Sequence, residues 1–315
     1  MFNRELAEFH LLKQQNFFNY LTKEDVSGSF LFVGQKCIGK KDFACLISES
    51  ILKDSGKISK NIHPDFYLLE SDAEQLVVDD IAKVEAWVFN QPFEAERKIL
   101  VIPSADKMNP IAQNKLLKIL EEPPDYLFFF LLTSNRALLL PTVESRCIET
   151  NFEILSDDIV AKSLEGRFKD EGIRNIALFL LNGSHDYEHF YSEEGIKDML
   201  GFLTIVVDKK ALLIDQAIDH MDQFFKIKKS QHRVVNTIVR LLGLLLINKH
   251  KGTDGYYDRL SSFKMVKASS YSIIHLVSSL ENLNIELRGT PLNLRIGLEE
   301  IVLDFILDKN KFTIG

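Results

Sequence analysis

The stretch from Asn109 to Cys147 constrains this chain more than any other. Asn109 and Pro110 suit the N-cap and first position of a helix, and Pro123-Pro124 forbid that helix from continuing. Between them Ala112, Leu116, Ile119 and Leu120 recur on one face while Lys115 and Lys118 lie off it, which predicts an amphipathic helix packed on something. Next comes Leu127-Phe128-Phe129-Phe130-Leu131-Leu132, apolar on both faces and too short to span a membrane. Such a run suits a central strand of a parallel sheet covered by helices. Thr133-Ser134-Asn135 then falls at the C-terminal end of that strand, where open α/β sheets place ligand chemistry.

Upstream, the pattern predicts an N-terminal amphipathic helix from Glu5 to Leu21, broken by Ser27-Gly28-Ser29, and then a buried strand Phe30-Leu31-Phe32-Val33. The strand runs into Gly34-Gln35-Lys36-Cys37-Ile38-Gly39-Lys40-Lys41 and a helix from about Asp42 to Leu52. Strand, glycine loop and helix form the context of a phosphate-binding loop, because glycines permit close backbone approach and a helix N-terminus offers N–H groups. The spacing of Gly34, Gly39 and Lys40 is intact, but Lys41 stands where a Ser or Thr hydroxyl would hold Mg²⁺. A plain glycine turn before a helix is the alternative.

The strand Lys98-Ile99-Leu100-Val101-Ile102 is the place where a working P-loop ATPase carries acidic residues that hold Mg²⁺ and orient water. Here Pro103-Ser104 follow, and Asp106 is displaced to the start of a turn. Two independent defects in the same apparatus therefore agree. His63-Pro64-Asp65 leads into a second strand, Phe66 to Leu69, and His63, with no partner nearby in sequence, reads as a turn residue before proline rather than a metal ligand. Val78-Asp79-Asp80-Ile81 opens a helix to about Phe89, with Asp79 as cap and Ile81, Val84 and Val88 on one face. Ile148-Glu149-Thr150 reads as the last strand, and Ser156 as the cap of the next helix.

Composition enters as an exclusion. A formal net charge of −7 means that the average surface does not attract nucleic acid, so any DNA contact has to be local. The basic run Lys226-Ile227-Lys228-Lys229-Ser230-Gln231-His232-Arg233 reads as a DNA patch or as a solvated helix end. Three cysteines, Cys37, Cys45 and Cys147, with no Cys-x-x-Cys pair, argue for a reducing cytoplasm and against a disulfide framework or a zinc site. Cys147 has no His that the sequence positions beside it, and reads as a small apolar residue leading into a strand rather than a nucleophile. Met1 to Tyr20 contains no signal-peptide core. Ile238 to Asn248, the most apolar helical stretch, is interrupted by Arg240 and falls short of the ~20 residues that cross a bilayer, so a soluble protein is expected. Glu121-Glu122 close their helix at the end where carboxylates oppose the dipole, which hints at partners for them or at exposure to water.

Three ordered motifs carry a family resemblance: Ala105-Asp106-Lys107-Met108-Asn109, then Asn114-Lys115-Leu116-Leu117-Lys118-Ile119-Leu120-Glu121-Glu122-Pro123-Pro124, and Leu140-Pro141-Thr142-Val143-Glu144-Ser145-Arg146-Cys147. Together they resemble the clamp-loader ATPases of DNA replication, of the AAA+ type, and within them the delta-prime subunits of bacterial DNA polymerase III. The resemblance implies an α/β P-loop domain with a parallel sheet and a degenerate nucleotide site over residues 1–153, a small helical lid over 154–208 and an all-helical collar for oligomerisation over 209–315. It implies a cytoplasmic subunit that hydrolyses no ATP itself and sits in a ring with tau/gamma ATPase subunits and the delta subunit, loading the sliding clamp on primed DNA. Arg146, flanked by Ser145 and Cys147, matches the family's ring-facing arginine, which reaches a neighbour's nucleotide; a surface salt bridge is its alternative. Between Leu52 and Pro64 the family often carries a four-cysteine zinc module, and this segment has no cysteine, so no zinc and no other cofactor is expected. Leu181-Asn182-Gly183-Ser184-His185-Asp186-Tyr187 resembles the family's Gly-Ser loop, with Tyr187 where a nucleotide-sensing arginine would stand. The rival readings are an ATP-hydrolysing tau/gamma-like subunit and a scaffold of the same fold outside replication.

Overall fold

The structure, a computed structural model, describes residues 3–23, 26–70, 75–181, 183, 192–207, 216, 219, 231–250, 270–286 and 294–307. The chain divides into two compact units, one of residues 1–156 with 183–186 and one of 157–182 with 187–315.

In the first unit the order is α1 (Arg4–Lys13), α2 (Gln15–Leu21), β1 (Gly28–Val33), α3 (Lys40–Leu52), α4 (Ser55–Ser59), β2 (Phe66–Leu68) and α5 (Val78–Val88). Then follow β3 (Lys98–Ile102), α6 (Pro110–Glu121), β4 (Leu127–Thr133), α7 (Pro141–Glu144) and β5 (Ile148–Asn151), with 3-10 turns at Ala105–Lys107 and Arg136–Leu138. All pairings are parallel, in the order β2-β3-β4-β1-β5. The strand expected to be central is central, and every residue of β4 is buried.

Alternation along β1 and β4 sends alternate residues to opposite faces. On one face Phe30, Phe32, Phe128 and Phe130 stack on each other, and Phe43 of α3 and Phe152 meet Phe32 at ring distances of 6.1 and 4.9 Å. On the other, Leu31, Phe129 and Leu131 join Leu100 and Ile102 beneath Ile81, Val84 and Val88 of α5 and Ala112, Leu116, Ile119 and Leu120 of α6. Each fully buried Leu or Phe of this kind stabilises the fold by about 1.5–3 kcal/mol relative to exposure. The result is a three-layer α/β sandwich, as a strand apolar on both faces requires.

α6 is punctuated as its sequence dictates: the Asn109 carboxamide oxygen accepts from Ala112 N at 2.8 Å, and Pro110 takes the first position. Two expectations are corrected. The N-terminal helix is two helices, because the backbone breaks at Gln14, whose side chain instead donates to Asn151 O at 3.0 Å. The cap of α5 is Val77 rather than Asp79; the carboxylate that serves this end belongs to Asp80, which accepts from Val77 N at 3.1 Å.

The second unit holds α8 (Asp157–Ser163), α9 (Glu171–Leu181), α10 (Glu193–Val207), α11 (Gln231–His250), α12 (Ser270–Glu286) and α13 (Leu294–Leu307). Arg240, the charge within the apolar stretch of α11, donates to Phe179 O at 3.0 Å and to Leu180 O, capping the carbonyl end of α9, and its guanidinium lies 5.4 Å from the Phe179 ring. Among the described residues no helix is long and apolar enough to cross a membrane. Most of the Gly-Ser loop with Tyr187 and residues 226–230 of the basic run lie outside the described residues.

Candidate functional site

The glycine loop lies where the sequence puts it, between the C-terminal end of β1 and α3. Gly34 has no room for a side chain: a Cβ there would come within 2.6 Å of Phe152 O and 2.9 Å of Ile38 Cδ1. Gly39 turns the chain into α3 at a φ of 98°, a left-handed conformation that favours glycine, with Leu6 and His10 of α1 packed against it.

Lys40 turns back on its own loop. Its ammonium, on a residue only 7% exposed, donates to Gly34 O at 2.5 Å and Gln35 O at 2.6 Å. Burial lowers its pKa to about 8, with the Asp106 carboxylate pulling the other way. Lys41 donates to Glu70 Oε1 at 2.8 Å, just beyond β2. Burial works against the Lys41 charge, but the hydrogen bond and charge of Glu70 outweigh it and hold the ammonium above the usual lysine range. The imidazole of His10 reaches the loop from α1 and hydrogen-bonds Ile38 O; burial pulls it below its ordinary pKa, opposed by that bond and reinforced by the Lys40 charge.

At the neighbouring strand ends, Pro103 and Ser104 follow β3, and Asp106 sits in the 3-10 turn, where it accepts from Ser134 Oγ at 2.6 Å and Ser134 N at 3.2 Å. This donor set does not fit a magnesium nucleotide. A cation stands in the hydroxyl position, Pro103 and Ser104 stand where the acidic residues would, and the Asp106 carboxylate is engaged by Ser134. The segment 53–62 forms the single-turn α4, capped by Asp54, whose carboxylate accepts from Lys57 N at 3.0 Å. Among the described residues no group of three or more His, Cys, Asp or Glu is arranged to hold a metal ion.

The Ser145-Arg146-Cys147 turn follows α7 and leads into β5, whose Ile148 pairs with Phe30 of β1, whereas the glycine loop leaves the other end of β1 after Val33. It is braced from behind by Gln113, a residue 1% exposed, which donates to Met108 O at 3.0 Å and Leu138 O at 2.9 Å and accepts from Leu140 N at 2.7 Å. Arg136 adds ion pairs to Glu144 at 3.1 Å and Glu149 at 3.0 Å. Arg146 itself donates through Nη1 to Thr142 O at 2.8 Å and through Nη2 to Glu121 Oε1 at 2.7 Å. Its side chain is 34% exposed. Ser145 Oγ donates to Thr142 O at 3.3 Å. Burial pushes the Cys147 thiol up to about 12, so it supplies no thiolate near neutral pH. The sequence did not single out Glu70, His10 or Gln113. Only Gln113 left a local signal, as a polar residue beside Ala112 and one helical turn from Leu116 and Leu117.

The family model described as DNA polymerase III, delta subunit, matches residues 11–156. The delta-prime subunit of DNA polymerase III from Bacillus subtilis is 28% identical over 182 residues, 54% of this chain and 54% of that protein. The gamma/tau subunit from Mycoplasma pneumoniae is 27% identical over 168 residues, 50% of this chain and 24% of that protein. Over residues 11–156 the chain is therefore similar to the clamp-loader subunits of DNA polymerase III. At 54% of the first and 24% of the second, it spans about half the length, or less, of these curated clamp-loader relatives. A solved DNA polymerase III gamma subunit-related protein from Thermotoga maritima superposes with a TM-score of 0.52 at 18% identity, covering 94% of this chain and 99% of that one. This likeness is one of fold, which in this chain is an AAA+-like α/β P-loop domain with a parallel sheet, followed by a part that is all-helical among the described residues.

Proposed function

We propose that this chain is a non-hydrolysing, delta-prime-type subunit of the clamp loader of the DNA polymerase III holoenzyme. It works in the cytoplasm in a ring with tau/gamma ATPase subunits and a delta subunit, helping to place the sliding clamp on primed DNA. In this reading residues 1–153 are the AAA+-like domain, 154–208 the lid and 209–315 the collar that joins the ring.

The observation that carries the reading is the Lys41–Glu70 ion pair at 2.8 Å beside a Lys40 turned onto Gly34 O and Gln35 O. Phosphoryl transfer rests on positioning and charge neutralisation by the metal and its ligands. A loop whose metal position holds an ammonium, and whose lysine is engaged by its own carbonyls, supports a role other than turnover. This speaks against the ATP-hydrolysing alternative. The family match speaks against a scaffold outside replication.

The active contribution assigned to the chain is Arg146, acting in trans on a neighbour's nucleotide. A guanidinium is planar, permanently charged and able to bind phosphate oxygens through two N–H groups at once. The test is the pure protein and the reconstituted complex side by side. The pure protein should hydrolyse no ATP above background. Arg146→Ala should leave ring assembly unchanged and lower the clamp- and DNA-stimulated ATPase; an arginine finger contributes on the order of 10³–10⁵ in rate, diluted here by the other sites in the ring. Normal assembly with unmodified hydrolysis and loading would sink the trans role.

A further inference from the structure

We propose that Glu121 is the positioning residue for Arg146, holding the guanidinium in the orientation in which it meets a phosphate of a neighbouring subunit's nucleotide. The inference rests on the trans role of Arg146 proposed above. Glu121 is the last residue of α6, where the carbonyl end of the helix disfavours a carboxylate. Its Oε1 accepts from Arg146 Nη2 at 2.7 Å, which supplies the compensating positive charge at that end.

Thr142 O takes Nη1 at 2.8 Å. Acceptors on two different nitrogens fix both the place and the plane of the group. Three of the five N–H donors of a guanidinium remain to engage an anion. The two anchors come from different elements, and each is itself held. α6 is set by its Asn109 cap and ends at Pro123-Pro124; the turn carrying Thr142 and Arg146 is set by Gln113 through Leu140 N at 2.7 Å.

An arginine without such anchors samples many rotamers and loses that freedom when it binds, so restraint before the encounter favours the productive geometry. The pair is half exposed, with side chains at 34% for Arg146 and 50% for Glu121. Exposed pairs are weak. Glu121 therefore orients the guanidinium without sequestering it from a phosphate.

The test uses the reconstituted complex with its ATPase and delta-type subunits, the clamp and primed DNA, measuring kcat and KM for ATP. Glu121→Ala should lower kcat roughly two- to fivefold, the scale of an exposed ion pair, with KM unchanged. Glu121→Gln, which keeps an acceptor oxygen and the side-chain shape, should fall less, and it decides the case if the alanine variant assembles poorly. In an Arg146→Ala background, Glu121→Ala should cause no further loss. Unmodified kcat in both Glu121 variants while Arg146→Ala is slow would overturn the positioning role and leave the arginine role standing, as would losses that multiply in the double variant. No loss in Arg146→Ala itself would remove the trans role and this inference with it.

Discussion

Replacing Asp65 by alanine should loosen the loop between α5 and β3 and destabilise the α/β unit. The Asp65 carboxylate is fully buried and accepts three backbone N–H groups: Phe93 on Oδ1 at 2.6 Å, and Glu94 and Ala95 on Oδ2 at 2.7 and 2.9 Å. Burial alone would raise its pKa; the three donors reverse that and bring it below the ordinary aspartate value of 3.8. Hydrogen bonds to a charged group contribute roughly 1.5–3 kcal/mol each, and the loop lies near enough to solvent for water to replace part of them, so a net loss of about 3 kcal/mol is expected. At about 2–4 °C per kcal/mol for a unit of this size, the melting temperature should fall by about 10 °C. Asp65→Asn should fall between, since it keeps one acceptor and turns an NH2 toward donors. Because the folded pKa is depressed, the contribution is complete above 3.8 and is lost as pH falls through the folded value. Thermal melts and amide exchange at Phe93, Glu94 and Ala95 measure both effects. Unchanged exchange there together with a melting temperature within about 2 °C of the unmodified protein would refute the account.

The Lys40 amine, lowered from 10.5 to about 8, keeps its proton in the unfolded chain over a range where the folded chain releases it, so stability should rise between about pH 8 and 10.5. The ceiling is about 3 kcal/mol, and Lys40→Met should abolish the rise in denaturant titrations followed across that range. Gln113→Ala should remove all three hydrogen bonds behind the Arg146 turn at a cost of about 2–4 kcal/mol, read as a lower unfolding midpoint and faster amide exchange at Leu140.

The layers and sheet were legible because each signal was local. An apolar run bounded by turn residues is a buried strand wherever it lies in sequence, and Asn109-Pro110 with Pro123-Pro124 marks a helix without help from elsewhere. The break at Gln14 was not legible, since the helical pattern continues through it and the side chain finds Asn151 O from another part of the chain. The loop residues Gly34, Gly39, Lys40 and Lys41 were found by spacing, but their partners were not. Glu70 and His10 reach the loop across 29 and 28 residues of sequence, respectively, and nothing in either segment announces that meeting. Arg146 and Glu121 each stood in a recognised motif, and the carboxylate placed against its own helix dipole hinted at a partner; only the fold shows that the two are one pair.

The crowding at Gly34 gives the glycine a reason that needs no ligand. The Cβ that any other residue would bring there collides with the carbonyl of Phe152 at 2.6 Å, an atom of the chain's own backbone just after β5. The need for glycine there comes from the polypeptide itself and would hold with or without a bound phosphate. The same applies at Gly39, whose left-handed backbone is demanded by the entry into α3. The spaced glycines thus report how the backbone turns from β1 into α3, whereas the chemistry of the site depends on the side chains at Lys41, Pro103 and Ser104. Glycine spacing alone therefore marks a shape and not an activity.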